Sequence, residues 1–251
     1  MSLKCHPAGN YSFVPGIAPY SCGVISNAGF EIVHVTLQQL VSWRGGFALI
    51  ESFLASEQRP RAALCAVSLR SPMPFTFEGF DEFNAGYASV LKEWGVFVDG
   101  VNPVARTNVV PENQPPDQPA LHGFAFTRPC SVGLPATFVV AGAGELPEGV
   151  LRREAICCLG DTTREGIANK AEFVMRLMED RLRQLRTDWG LVTRTNVYTV
   201  HSIDHVVKSI IEPRIGLTGI HGVTWHYSRP PIQEIEYEMD LRGVRTERIV
   251  G

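Results

Sequence analysis

The chain has 251 residues, 45% of them apolar, with a formal charge of −3 and an isoelectric point near 6.2. That length suits two cores of about 125 residues each, and the acidic balance argues against nucleic acid, whose phosphates call for a basic face. No apolar run approaches the roughly 18 residues of a membrane helix, and Met1 to Pro7 lacks a charged region followed by an apolar stretch, so no signal peptide and no membrane contact are expected. The six cysteines include no C-x-x-C pair, and Cys157 and Cys158 are adjacent, so they read as reduced thiols of a cytoplasmic protein.

Along the first half, Pro19-Tyr-Ser-Cys-Gly-Val24 precedes a strand at Phe30 to Val35. Thr36 to Ser56 carries helix-spaced apolar residues (Leu37, Leu40, Val41, Phe47, Leu54), although Gly45-Gly46 costs such a helix about 2 kcal/mol relative to alanines. An apolar strand follows at Ala62 to Leu69, then a helix with Phe83, Tyr87, Val90, Leu91 and Trp94 on one face. A strand at Ala105 to Val110, a proline-rich loop and Leu121 to Phe126 close the half.

The second half repeats the order. Pro129-Cys-Ser-Val-Gly133 precedes a strand at Thr137 to Ala141, an offset of 110 residues from Pro19. Ile167, Ala171, Val174, Met178, Leu182 and Leu185 form one helical face, with Thr162 or Thr163 as cap and Gly190 beyond the end. A strand at Val192 to Val200, a helix from Ile203 to Ile211 ended by Pro213, and strands at Gly222 to Tyr227 and Ile235 to Leu241 follow. A repeated order of strands and helices predicts an α/β (α+β) fold of two tandem domains, 1–128 and 129–251, each a mixed sheet with two helices on one face.

Three short motifs carry a resemblance to a known family. Pro19-Tyr20-Ser21, Phe80-Asp-Glu-Phe83-Asn84-Ala-Gly-Tyr87 and Pro103-Val-Ala-Arg106-Thr-Asn-Val109 resemble segments of the RidA/YjgF family, also called the L-PSP endoribonuclease or chorismate-mutase-like group. In the second half, Phe138-Val-Val-Ala-Gly142 and Ile235-Glu236-Tyr-Glu238 resemble the family's second strand and closing acidic strand. The resemblance implies an enamine/imine deaminase that releases ammonia from a small carboxylate-bearing intermediate such as 2-aminoacrylate or 2-aminomuconate. It implies no cofactor, no metal, and a homo-oligomer, usually a trimer, with contacts through residues such as Val139, Val197 and Val223. Two other functions fit the same resemblance: a non-catalytic small-carboxylate binder, and a chorismatase-like hydrolase.

Arg106 is the expected carboxylate clamp, because a guanidinium fork holds a carboxylate by two parallel hydrogen bonds. Glu236 is the expected acid/base or water-positioning residue, and Tyr20, Asn108 and His221 the expected pocket lining. Counting back from Glu236 puts His221 at the second half's arginine position, while His122 stands at the first half's glutamate position. Neither half holds both signature residues, so either Arg106 and Glu236 meet across an interface between neighbouring domains, or each half has decayed separately. His201 and His205, four apart, and the equivalently placed Cys22 and Cys130 are weaker candidates for metal binding and nucleophilic catalysis.

Overall fold

The computed structural model describes residues 2–251. The main elements are β1 (Lys4–His6), β2 (Tyr11–Val14), β3 (Gly23–Ser26), β4 (Phe30–Ser42), α1 (Trp43–Ser56), β5 (Leu64–Arg70), α2 (Phe77–Glu93), β6 (Ala105–Pro111) and β7 (Ala120–Pro129). There follow β8 (Phe138–Gly144), α3 (Arg164–Gln184), β9 (Arg194–Thr199), β10 (Thr224–Arg229), β11 (Glu238–Gly243) and β12 (Thr246–Val250). No helix among the described residues is long and apolar enough to cross a membrane.

The strands form one mixed sheet in the order β1-β2-β3-β8-β11-β9-β10-β6-β5-β7-β4-β12. Its two halves share a pairing scheme. In the first, β7 lies antiparallel between β4 and β5, and β5 is parallel to β6. In the second, β11 lies antiparallel between β8 and β9, and β9 is parallel to β10. Only Ser228–Pro111 and Arg229–Val110 pair across the join of β10 and β6.

The chain ends cross between halves. The N-terminal hairpin β1–β2 and strand β3 extend the second half's sheet through β8, and C-terminal β12 pairs in parallel with β4. Sequence patterning missed β1, β2 and β12. Strands β1 and β2, of three and four residues, are too short for an alternating pattern to stand out, and β12 takes its stability from β4 near the other end of the chain, which local periodicity does not register.

The helix expected from Thr36 starts later. Strand β4 continues to Ser42, with a register shift between Thr36 and Val41, and Ser42 caps α1 by accepting from the Gly45 N–H at 3.3 Å. Gly46 is required where it stands, since a Cβ there would lie 2.7 Å from the Leu121 side chain on β7. The last helix also differs. It runs from Asp204–Val206 through a π-helical turn, Val207–Ile211, into Glu212–Ile215. Pro213 sits in the first turn of that final piece, where its missing N–H is no loss, and therefore does not end it.

Helices α1 and α2 bury Phe47, Ile50, Tyr87 and Leu91 against β4, β5 and β7. Helix α3 and the irregular helix bury Val174, Met178, Val206 and Ile211 with Val140, Val197 and Leu241. Val197, expected at a trimer contact, is thus core within one chain. A third cluster, containing Ala66, Ala105, Ala125 and Ala141 with Tyr11, Phe13 and Ile32, joins the inner faces of the two half-sheets. Four alanines keep that layer thin, so polar side chains along its margins can reach across from one half to the other.

Candidate active site

Strand β6 aims Arg106 and Asn108 to one side, as residues two apart on a strand must. Arg106 is 3% exposed. Its Nη2 donates to Asn84 Oδ1 on α2 at 2.7 Å, and its Nη1 has no partner among the described residues. Four rings surround the guanidinium: Tyr20 at 4.6 Å, Tyr87 at 4.8 Å, Phe80 at 5.5 Å and Phe83 at 5.7 Å. The ring faces favour the cation and hold it in place. Burial pulls the Arg106 pKa down, and Tyr20, Tyr87 and Glu238 oppose that pull. The Phe80-to-Tyr87 motif is therefore the arginine's housing, since Phe80, Phe83 and Tyr87 give three of the rings and Asn84 gives the hydrogen bond.

Arg106, Tyr20 and Asn108 line one cavity of about 70 Å³, together with Gly142, Glu148, Arg181, Ile235 and Glu238 from the second half. Asn108 accepts from Ser71 Oγ at 3.0 Å, and its Nδ2 is unpartnered. Two buried donors, Arg106 Nη1 and Asn108 Nδ2, thus belong to one cavity with no acceptor. Unsatisfied buried donors cost about 1–3 kcal/mol each, a cost that an anionic ligand removes.

Two carboxylates share this cavity, Glu148 and Glu238, and Glu236 is not among its lining. Glu238 is 4% exposed, and burial raises its pKa well above the ordinary carboxylate value, helped by Asp240 and opposed by Arg181 and Arg106. Its carboxyl therefore holds a proton to higher pH than an exposed glutamate does. Its side chain lies over Gly142, whose N–H donates to Thr107 Oγ1 at 3.1 Å, and a Cβ on residue 142 would overlap Glu238 Oε1. Gly142→Ala is expected to displace the Glu238 carboxyl from the cavity, as a crystal structure of the variant will show.

Glu236 precedes β11 and turns away. Its Oε2 pairs with His201 Nε2 at 2.8 Å, and it is no part of the Arg106 cavity lining. The expected meeting of Arg106 and Glu236 is thereby replaced by a meeting of Arg106 and Glu238, one full strand period further on. His221 ends an exposed 3-10 turn, Gly216–His221, and borders a separate surface depression with Pro135 and Arg245. His205 reaches the Arg164 carbonyl instead of joining His201, so those two histidines share no ligand site.

Arg181 on α3 forms the far wall. It grips Glu148 through Nε at 3.0 Å and Nη2 at 2.7 Å, and donates from Nη1 to the Ala141 carbonyl at 2.8 Å. Glu148 also accepts from Cys22 Sγ at 3.3 Å. Burial pushes the Cys22 thiol up to about 12, so it stays protonated and supplies no thiolate nucleophile. Tyr20 is likewise held up at about 12 by burial and remains a neutral hydroxyl.

Residues 3–248 match the family model of the 2-aminomuconate deaminase CnbZ. The 2-amino-5-chloromuconate deaminase of Comamonas testosteroni is 38% identical over 244 residues, covering 96% of both chains. Among solved structures, a chorismatase superposes with a TM-score of 0.53 at 12% identity, covering 89% of this chain and 77% of that one. At such identity the likeness is one of fold and says nothing of activity. The RidA/YjgF resemblance pointed to deaminases, but the family is a different and narrower one. Matched over nearly its whole length by that family model and by a 38% identical relative, the chain belongs to the 2-aminomuconate deaminase CnbZ family.

Proposed function

We propose that the protein hydrolytically deaminates a 2-aminomuconate-like dicarboxylate, with Arg106 as the carboxylate clamp and Glu238 as the proton donor. One observation carries the reading. A buried arginine with an unpartnered Nη1, boxed by four aromatic rings, shares a cavity with a buried carboxyl whose pKa burial raises well above the ordinary carboxylate value.

Water is the one co-reactant the chemistry needs. A 2-aminomuconate is an enamine conjugated to two carboxylates. Arg106 Nη1 and Asn108 Nδ2 donate to the carboxylate beside the amine-bearing carbon. Glu238 delivers its proton to the carbon β to nitrogen, and the enamine becomes an iminium. Water adds to the C=N carbon and returns a proton to Glu238. The C–N bond then breaks, and ammonia and a 2-oxo dicarboxylate leave. An arginine suits the clamp because its charge survives burial, and the raised pKa of Glu238 suits it to the role of acid.

We also read the chain as two copies of one domain, 1–128 and 129–251, supported by the recurring strand pairing. A homo-oligomer belongs to the same reading, supported by Leu217 and Ile220, which are almost wholly exposed.

The test is ammonia release from freshly generated 2-aminomuconate by purified protein. Absence of release above the spontaneous rate would overturn the assignment. Glu238→Gln is expected to lower kcat about 100- to 10,000-fold, the usual contribution of a positioned acid. Wild-type kcat is expected to fall on the alkaline side as Glu238 loses its proton, and the variant should lack that limb. Stability follows the same sign. The folded protein keeps a proton that the unfolded chain releases above the ordinary value of 4.5, so Glu238 costs stability increasingly as pH rises from there. Glu238→Gln should therefore flatten that fall, as denaturant titrations at a series of pH values will measure.

A further inference from the structure

A second cavity, of about 330 Å³, lies on the seam between the half-sheets. Its walls take Arg70 from β5 and His122 from β7, and Tyr198, His226, Asp240 and Arg242 from β9, β10 and β11. On β11, Glu238, Asp240 and Arg242 follow at intervals of two, so one strand serves both cavities.

The lining is cationic. Arg70, Arg194, Arg242 and Arg248 stand against Asp240 and Glu247. Most of these charges are partnered. Glu247 holds Arg242 at 2.8 Å and Arg194 at 3.5 Å, and Glu57, outside the cavity, holds Arg248 at 2.6 Å. Asp240 accepts from Asn196 Nδ2 at 2.6 Å and from Tyr198 Oη at 3.0 Å. Arg70 has no carboxylate among the described residues. It is 7% exposed, donates from Nη1 to the Leu69 carbonyl at 2.8 Å, and lies 5.8 Å from the Tyr198 ring centre.

Beside it are imidazoles with spare capacity. His122 Nδ1 and His34 Nδ1 are buried without a partner, and both residues line the cavity. Burial and the neighbouring arginines hold His122 at about 3 and His226 at about 4, so both rings are neutral at physiological pH. A buried guanidinium without a counter-ion, beside two unpartnered imidazole nitrogens that donate in the Nδ1–H tautomer, forms a site suited to an acceptor-rich anion.

We propose that this second cavity is an oxyanion-binding site for a small dianion, with Arg70 as its principal charge and His122 and His34 as hydrogen-bonding partners. A dicarboxylate of the substrate's class and inorganic phosphate share that chemistry. The volume suits a body of that size, and the arginines exclude a cation. The site is separate from the Arg106 cavity and stands whether or not that cavity is catalytic.

Isothermal titration with trans,trans-muconate, an unreactive dicarboxylate, and separately with inorganic phosphate tests the proposal. Wild-type protein is expected to bind two equivalents of muconate, or one of muconate at the Arg106 cavity and one of phosphate at the second. Arg70→Gln is expected to remove the second equivalent and keep the Arg106-dependent one, and Arg106→Met the reverse. Muconate loss in Arg70→Gln identifies a dicarboxylate site, and loss of phosphate alone identifies a phosphate site. His122→Gln, a milder change, is expected to weaken the same equivalent at least 3-fold, which keeps the test decisive if Arg70→Gln fails to fold. A single muconate equivalent abolished by Arg106→Met, with no phosphate bound, overturns the proposal. So does anion binding that is indifferent to both Arg70→Gln and His122→Gln.

Discussion

Arg106→Met is expected to reduce kcat/KM about 1000-fold while leaving the melting temperature unchanged or raised. Two magnitudes decide this. Losing one partner of a buried, charge-assisted carboxylate contact costs about 2–5 kcal/mol, and each 1.36 kcal/mol is a factor of ten in rate. The stability term has the opposite sign. No carboxylate is paired to Arg106 among the described residues, its Nη1 is unsatisfied, and burial already lowers its pKa. Replacing such a cation with an apolar side chain of similar length removes its desolvation cost, which offsets the loss of the Asn84 hydrogen bond and of the ring contacts. A residue kept for packing could not show that combination. Arg106→Lys should recover little, because an ammonium cannot donate to Asn84 Oδ1 and present a parallel fork to a carboxylate at once. Rate assays on 2-aminomuconate beside thermal melts will measure both quantities. Unchanged turnover in Arg106→Met would remove the arginine from the site.

How much of this site was legible in the sequence depends on the kind of signal. Arg106, Tyr20 and Asn108 were legible because short motifs carry them, and they line one cavity. The aromatic housing was present in the same motifs as Phe80, Phe83 and Tyr87, but spacing on α2 describes a helix face and not what that face encloses. The acid was not legible. Glu234, Glu236 and Glu238 alternate and share one sequence pattern, and their fates are set by three remote partners. Arg153 takes Glu234, His201 takes Glu236, and Gly142 leaves room for Glu238. Gly142 was the available clue, since a glycine inside an apolar strand marks a close approach by something else. The fold shows the same division. Helix faces and central strands follow from periodicity, whereas the crossed chain ends and the continuation of β4 to Ser42 depend on tertiary pairing.

Lys170→Met is expected to destabilise the fold by about 3 kcal/mol at neutral pH, with a smaller loss in acid. Lys170 on α3 and Glu145, just beyond β8, form an ion pair at 3.0 Å with both side chains 0% exposed. Glu145 Oε1 also accepts from the Glu236 N–H at 2.7 Å, and its Oε2 from the Tyr237 N–H at 3.1 Å, while Lys170 donates to the Cys157 carbonyl at 3.0 Å. The pair therefore pins the residues that lead directly into Glu238. Without Lys170, Glu145 must take a proton or remain a lone buried charge. Protonating a carboxyl of ordinary pKa 4.5 at pH 7 costs about 3.4 kcal/mol, which caps the electrostatic loss, and at pH 5 the same step costs about 0.7 kcal/mol. The sign follows. Burial already raises the Glu145 pKa, removal of Lys170 raises it further, and the variant loses stability as pH climbs above the unfolded value. At about 2–4 °C per kcal/mol for a chain of this size, the melting temperature should fall by about 6–12 °C at pH 7 and far less at pH 5. Adding Glu145→Leu should restore part of the stability by removing the orphaned charge. It also unpins the Glu236 and Tyr237 amides, so the double variant should stay impaired in turnover. Thermal melts and ammonia release measured on the same preparations separate the two effects. Equal losses of stability at pH 5 and pH 7 in Lys170→Met would show that the pair acts by packing and not by charge.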